Sequence, residues 1–140
     1  MNQNIWGPHT WFALHSISFA YPLYPTSQDK ERYKTFIDTL QYVLPCSVCR
    51  KNFRRNLKEF PPKLSSRKAF VYWLIDIHNE VNSLTGKERI SYDKAIALYE
   101  KKYNKKIKLE EISLKPTFNI RFKYIFLLIV IVSGYYLIKY

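Results

Sequence analysis

Thr26-Ser-Gln-Asp-Lys-Glu-Arg-Tyr-Lys-Thr-Phe-Ile-Asp-Thr-Leu-Gln-Tyr-Val-Leu-Pro-Cys-Ser-Val-Cys49 decides the architecture, because it shows what precedes the two cysteines of the chain. Thr26 and Asp29 have capping-box spacing, in which the hydroxyl takes the N3 amide and the N3 carboxylate returns to the cap. Behind them Tyr33, Phe36, Ile37, Leu40 and Leu44 recur every three or four residues, one face of an α-helix. Pro45 sits where helices begin. Cys46 to Phe60 therefore reads as the next helix, with the cysteines in its first turns and Pro61-Pro62 closing it. A thioredoxin-like pair needs a preceding strand and a βαβ setting; this pair follows a helix.

Outward from that stretch the helical period continues. Trp11, Leu14, His15, Ser18 and Tyr21 share a face until Pro22 and Pro25 stop the helix. Phe70, Leu74, Ile77, His78 and Val81 line up in a helix from about Ser66 to near Gly86, and a fifth covers about Ser91 to Tyr103. The expected fold class is all-α, a four-helix bundle plus a short fifth helix over residues 1–103.

A basic linker over 104–123 and a transmembrane anchor over 124–138 are expected to follow. Tyr124 to Ile138 contains no charge, and its fifteen residues are flanked by Lys123 and Lys139. At ~1.5 Å per residue it covers about 22 Å of a hydrocarbon layer near ~30 Å, so the lysines and Tyr124, Tyr135, Tyr136 and Tyr140 must reach the interface. Lys105, Lys106, Lys108, Lys115, Arg121 and Lys123 precede the span and only Lys139 follows it. No signal peptide is seen at the N-terminus. These features predict a single-pass C-terminal anchor with the domain on the cytoplasmic side, a virion membrane being one candidate.

Composition narrows the chemistry. The chain has 140 residues, room for one core, and at 47% hydrophobic and 17% aromatic it is not disordered. Gly7, Gly86 and Gly134 are too dispersed for a GxGxxG or P-loop phosphate cradle. A net charge of +12 suits an anionic partner, or only a solvated surface.

Cys-x-x-Cys in a chain without other cysteines fits a redox pair, half a zinc site or two buried thiols. A Cys2His2 site can be drawn with His9 and His15, although the order of ligands is reversed from a zinc finger. The redox reading gains from position: a helix N-terminus and the neighbouring Arg50, Lys51, Arg54 and Arg55 favour thiolate. From Arg50 to Lys68 there are eight positive residues and one acid, a run that a solvated helix face also explains. Passing electrons on to oxygen would require a cofactor, and aromatic and histidine residues spaced for stacking would mark a flavin.

Trp6-Gly-Pro-His-Thr-Trp-Phe-Ala-Leu-His15, Tyr21-Pro22, Pro45-Cys-Ser-Val-Cys49, His78-Asn-Glu-Val-Asn82 and Gly86-Lys87 occur in that order. Together they resemble the FAD-linked Erv/ALR sulfhydryl oxidases over about residues 5–103, and the short form with a hydrophobic tail looks most like those of large DNA viruses.

The resemblance implies a cofactor, FAD, and a site. Gly7, Thr10, Trp11, His15 and Tyr21 would contribute from the first helix, His78, Asn79, Val81 and Asn82 from the fourth, Lys87 toward the phosphates, and Tyr99 at the adenine side in place of a more usual Trp. Cys49 would act as thiolate on the flavin and Cys46 would exchange with an incoming dithiol, with electrons passing to oxygen as hydrogen peroxide. A thiol-containing protein or a small thiol relay protein would be the partner, no nucleic acid would be bound, and the chain would be a homodimer through its first helices. Two departures stand out: the positions of a structural disulfide in the family hold Ile75 and Tyr92, and no shuttle cysteine pair exists. The competing reading is a tail-anchored helical adaptor that binds through its basic face or a zinc site.

Overall fold

The computed structural model describes residues 1–110, which form five α-helices: α1 Gln3–Ala20, α2 Ser27–Val43, α3 Ser47–Glu59, α4 Arg67–Leu84 and α5 Tyr92–Tyr103. The anchor expected at 124–138 and residues 111–123 of the linker lie outside the described residues. Among the described residues no helix is long and apolar enough to cross a membrane.

Side-chain caps set the helix starts. The Thr26–Asp29 capping box is complete, and Ser66 and Ser91 cap α4 and α5 by accepting the amides of Ala69 and Lys94. Two details differ from the sequence expectation. α3 starts at Ser47, one residue later than the Cys46 start read from the sequence: Cys46 is the N-cap, its sulfur accepting the Cys49 amide. Tyr21 is not on the face of α1, since the helix ends at Ala20 and Tyr21 is its C-cap, turned into the core.

α4 is the helix the others pack around, since it alone buries Phe70, Val71, Trp73, Leu74, Ile75, Ile77 and Asn79. Each large apolar side chain so buried contributes about 1.5–3 kcal/mol. α1 and α5 pack on α4, and α3 on α2. One apolar cluster joins Leu14, Tyr21, Ile37 and Phe53 to Phe70, Trp73, Leu74 and Ile77. The Tyr21 hydroxyl donates to the Leu64 carbonyl at 2.9 Å and the Trp73 indole to that of Phe60 at 2.9 Å, so the α3–α4 connection is tied to the core by two buried ring systems.

A second cluster of Val71, Ile75 and Ala95 seats α5 on α4. Ile75 and Tyr92 work by packing: Ile75 is buried there, while Tyr92 stacks on Tyr72 at 4.1 Å and donates to Asp76 at 2.8 Å. Asn79 holds the turn before α5 from both sides, donating to the Ile90 carbonyl at 2.9 Å and accepting its amide at 3.0 Å. Gly86 has φ +71, which admits glycine readily and lets that turn close. Past α5 the chain folds back on the start of α4: Arg67 donates to the Lys108 carbonyl at 2.8 Å, Lys68 pairs with Glu110, and Leu109 covers the second cluster.

Candidate active site

Cys46 and Cys49 form a disulfide at the N-terminus of α3, their Cα atoms 5.1 Å apart. The two sulfurs have different surroundings. Cys49, Phe53 and Asn56 recur at i, i+4 and i+7, and Phe53 and Asn56 are buried, so Cys49 sits on the inward face of the helix. Cys46, at the cap, accepts the Cys49 amide at 3.1 Å and the side-chain amide of exposed Gln3 at 3.0 Å. The start of α1 thus reaches the redox pair.

α1, α4 and α5 also enclose a cavity of about 240 Å³. His15 comes from α1, Ile75, His78 and Asn79 from α4, Ala95, Leu98, Tyr99 and Lys102 from α5, and Ile90 from the turn between. The His78 ring lies flat on Trp11, centroids 3.9 Å apart and planes within 5°. His15 Nε2 and His78 Nδ1 are 3.0 Å apart, while His15 Nδ1 is buried with no partner in the protein. Burial, then the neighbouring His78, lowers the His15 pKa to about 3; burial, then the charge of Lys87, lowers that of His78 to about 4. Both rings are neutral at pH 7. Tyr99 keeps its proton, because burial raises its pKa to about 12.

This lining suits a flavin dinucleotide. It offers flat aromatic and imidazole walls for stacking, a buried ring nitrogen still to be satisfied, and the cation Lys102 for an anionic diphosphate, while Lys87 is outside the lining but close enough for its charge to act on His78. The volume is below the roughly 300–1,000 Å³ of pockets that engulf a drug-sized ligand, so the cavity takes one planar part of a dinucleotide, not all of it. Among the described residues no three His, Cys, Asp or Glu side chains gather into a metal site.

The Erv1 / Alr family profile matches residues 8–107. The chain belongs to that family. A mimivirus protein named a probable FAD-linked sulfhydryl oxidase is 44% identical over 104 residues, covering 72% of this chain and 73% of the relative. The mitochondrial FAD-linked sulfhydryl oxidase of Saccharomyces cerevisiae is 36% identical over 54% of this chain and 40% of its own length. The crystal structure of that yeast protein's FAD-binding domain superposes with a TM-score of 0.66 at 30% identity, over 74% of this chain and 94% of the yeast one.

Of the residues that the Erv/ALR resemblance singles out, the structure brings His15, His78, Asn79 and Tyr99 together at the cavity, with Trp11 stacked behind His78. Others lie elsewhere. Tyr21 is fully buried in the main core. Thr10 donates to the Trp6 carbonyl at 3.1 Å, and the space beside Gly7 is open. The carbonyl of half-buried Val81 accepts from the Thr85 hydroxyl at 2.9 Å. Asn82 accepts the Lys87 amide at 2.8 Å and donates to the Glu88 carbonyl at 3.3 Å, so both help shape the turn after α4. Sequence reasoning missed Lys102, whose ammonium lies 5.1 Å over Phe12 and 5.9 Å over Tyr99. The signal was present: Ala95, Leu98, Tyr99 and Lys102 share one face of α5 at helical spacing.

Proposed function

We propose that the Cys46–Cys49 disulfide and the α1/α4/α5 cavity are the two halves of one active site, the first taking electron pairs from thiol substrates and the second holding FAD. The chain is a FAD-linked sulfhydryl oxidase. The observation that carries this reading is the coexistence, in an Erv1/Alr fold, of a disulfide at a helix N-terminus with a pocket of neutral, stacked aromatic and imidazole rings.

A substrate thiolate attacks Cys46, the sulfur at the outer cap, and the S–S bond breaks with its electron pair left on Cys49 as thiolate. The substrate's second thiolate then displaces Cys46 from the mixed disulfide, which releases an oxidised substrate and leaves both protein cysteines reduced. Two electrons and two protons have moved. The Cys49 amide at the head of α3 donates to Cys46 Sγ and so stabilises Cys46 as a thiolate once the pair is reduced. His15, His78 and Tyr99, with Trp11 stacked on His78, would hold the cofactor rings and exclude water, and Lys102, with Lys87 from the neighbouring turn, would neutralise its phosphates. FAD held there would supply the two-electron acceptor that links the reduced cysteine pair to oxygen, with hydrogen peroxide as the product.

Tyr124 to Ile138 supplies a membrane anchor by its uncharged run, with the catalytic domain on the cytoplasmic side. The absence of a shuttle pair makes the substrate, or a small thiol relay protein, approach Cys46 directly. A second copy covers the first helices, where Ile5 and Phe36 are exposed. The deciding experiment is colour and turnover: the purified chain should carry stoichiometric flavin and consume oxygen with dithiothreitol, and Cys46→Ser and Cys49→Ser should each stop turnover. A colourless protein with bound zinc would restore the adaptor reading.

A further inference from the structure

We infer that the outer face of α3 is a docking track for an acidic segment of the thiol substrate, beginning at the redox disulfide. The inference rests on the oxidase reading and adds a substrate class to it. Val48, Lys51, Arg55 and Lys58 recur at i, i+3, i+7 and i+10, opposite the inward face that carries Cys49, Phe53 and Asn56. All four are exposed. Arg54 joins their edge, its guanidinium 5.5 Å over the exposed Tyr42 ring and its Nε donating to Gln41 at 3.1 Å. The neighbouring cation Arg50 spends a donor on the Leu44 carbonyl.

Among the described residues no carboxylate forms an ion pair with any of these α3 cations, whereas Lys34, Lys68, Arg89 and Lys106 each have one. The α3 face is therefore strongly net positive, with exposed Glu59 at its far end as the one carboxylate of the helix, and the cations Lys51, Arg55 and Lys58 run from the place where a substrate sulfur must arrive. Val48 to Lys58 rises about 15 Å at ~1.5 Å per residue, the reach of about five residues of extended chain at ~3.3 Å each. Exposed Tyr42, Val43 and Val48 add apolar area beside Cys46, which a peptide can cover and a phosphate backbone cannot use. That apolar area favours an acidic peptide over nucleic acid. The same cations lower the pKa of an incoming substrate thiol, so docking and thiolate formation reinforce each other.

The test compares three peptides, each with Cys-Gly-Gly-Cys followed by five Glu, five Ser or five Lys, as substrates for the full chain. At low salt kcat/KM for the Glu peptide, taken relative to dithiothreitol, should exceed that for the Ser peptide by about fivefold or more, as a few surface ion pairs permit. The advantage should shrink toward unity at ~1 M salt, where screening acts within about 3 Å. The double variant Arg55→Glu, Lys58→Glu should abolish or invert the preference. Equal use of the Glu and Ser peptides, or a preference that survives the charge reversal, overturns the proposal. So does a face whose reversal releases phosphatidylserine vesicles or duplex DNA but leaves peptide preference unchanged. If dithiothreitol itself is not oxidised, the oxidase reading has failed. Anisotropy of the Glu peptide with Ser in place of Cys then decides docking alone, supporting it if reversal weakens binding about fivefold and refuting it if binding is unaffected.

Discussion

His15 Nε2 and His78 Nδ1 lie 3.0 Å apart, so a single proton between them serves both rings, one nitrogen donating and the other accepting. That sharing is lost only when both imidazoles are cationic, and burial keeps both neutral at pH 7, with folded pKa values of about 3 and about 4 against an ordinary 6.5.

The first prediction is the pH dependence of stability. In the unfolded chain each histidine takes a proton near pH 6.5, whereas the folded protein refuses it until about pH 4 or 3. The unfolded state binds more protons throughout that window, so this contribution is complete above pH 6.5 and is lost as pH falls toward 4. The slope is up to about 1.4 kcal/mol per pH unit for each ring, less for the partly exposed His78. Urea midpoints at pH 7, 6 and 5 should decline, and His78→Phe, which keeps a ring on Trp11, should flatten the decline. An unchanged slope in that variant would show that the pair does not titrate as described.

Pocket walls and turn supports should separate experimentally. Trp11→Ala removes the surface on which His78 lies flat, so flavin content and melting temperature should fall together, a bound ligand stabilising the folded state by mass action. Asn79→Ala breaks both bonds to Ile90 in a buried setting, at about 1–3 kcal/mol. Its melting temperature should drop even with flavin stripped away. Asn82→Ala loses a 3.3 Å bond to the Glu88 carbonyl and should be milder in the stripped protein. A flavin loss from Asn82→Ala as large as that from Trp11→Ala would place Asn82 on the cofactor.

Gln3 should tune the redox pair. Its amide and that of Cys49 both donate to Cys46 Sγ, and donors stabilise the thiolate of the reduced pair, which makes the disulfide a stronger oxidant. At an exposed site one such bond is worth about 1 kcal/mol, roughly a fivefold change in the exchange equilibrium with glutathione. Gln3→Ala should shift that equilibrium toward the disulfide, Gln3→Glu further, and Gln3→Lys the other way. Alkylation and mass measurement across a glutathione series reads the order directly, and a different order would assign Gln3 a structural role only.

Much of this was legible locally. Thr26 with Asp29, Ser66, Ser91 and the prolines mark helix ends by hydrogen bonds within a few residues, and the structure keeps those ends to within a residue or two. Tyr21 was misplaced because periodicity continues past the last helical residue: its place in the core depends on Leu64, forty-three residues away, which no local pattern reveals. The start of α3 shifts by one residue because a cysteine sulfur is a rare cap, and Gln3 and Lys102 each acquire meaning only when α1 meets α3 and α5 meets α4. Periodicity shows which face of a helix turns inward; it does not show what meets it there.

The tail prediction joins the fold to the membrane. The redox pair and the cavity lie before residue 104, but the domain does not end there, because Leu109 covers the Val71–Ile75–Ala95 cluster and Glu110 pairs with Lys68. A cut after Tyr103 would expose that cluster and lose stability, whereas one after Glu110 keeps both contacts. The 1–110 chain should therefore stay folded, bind FAD and oxidise dithiothreitol at a rate within about twofold of the full chain. Removing Tyr124 to Ile138 should also release it from sedimenting membranes. Without a shuttle pair, anchoring would serve catalysis by raising the local concentration of a partner on the same surface, an effect that reaches ~10²-fold or more without any new contact. Disulfide formation in the natural partner inside cells should then fall much further than dithiothreitol oxidation in solution. If the two fall equally, the loss is in the enzyme itself; if the partner is oxidised normally by 1–110, it reaches Cys46 by diffusion and the tail serves only as an address.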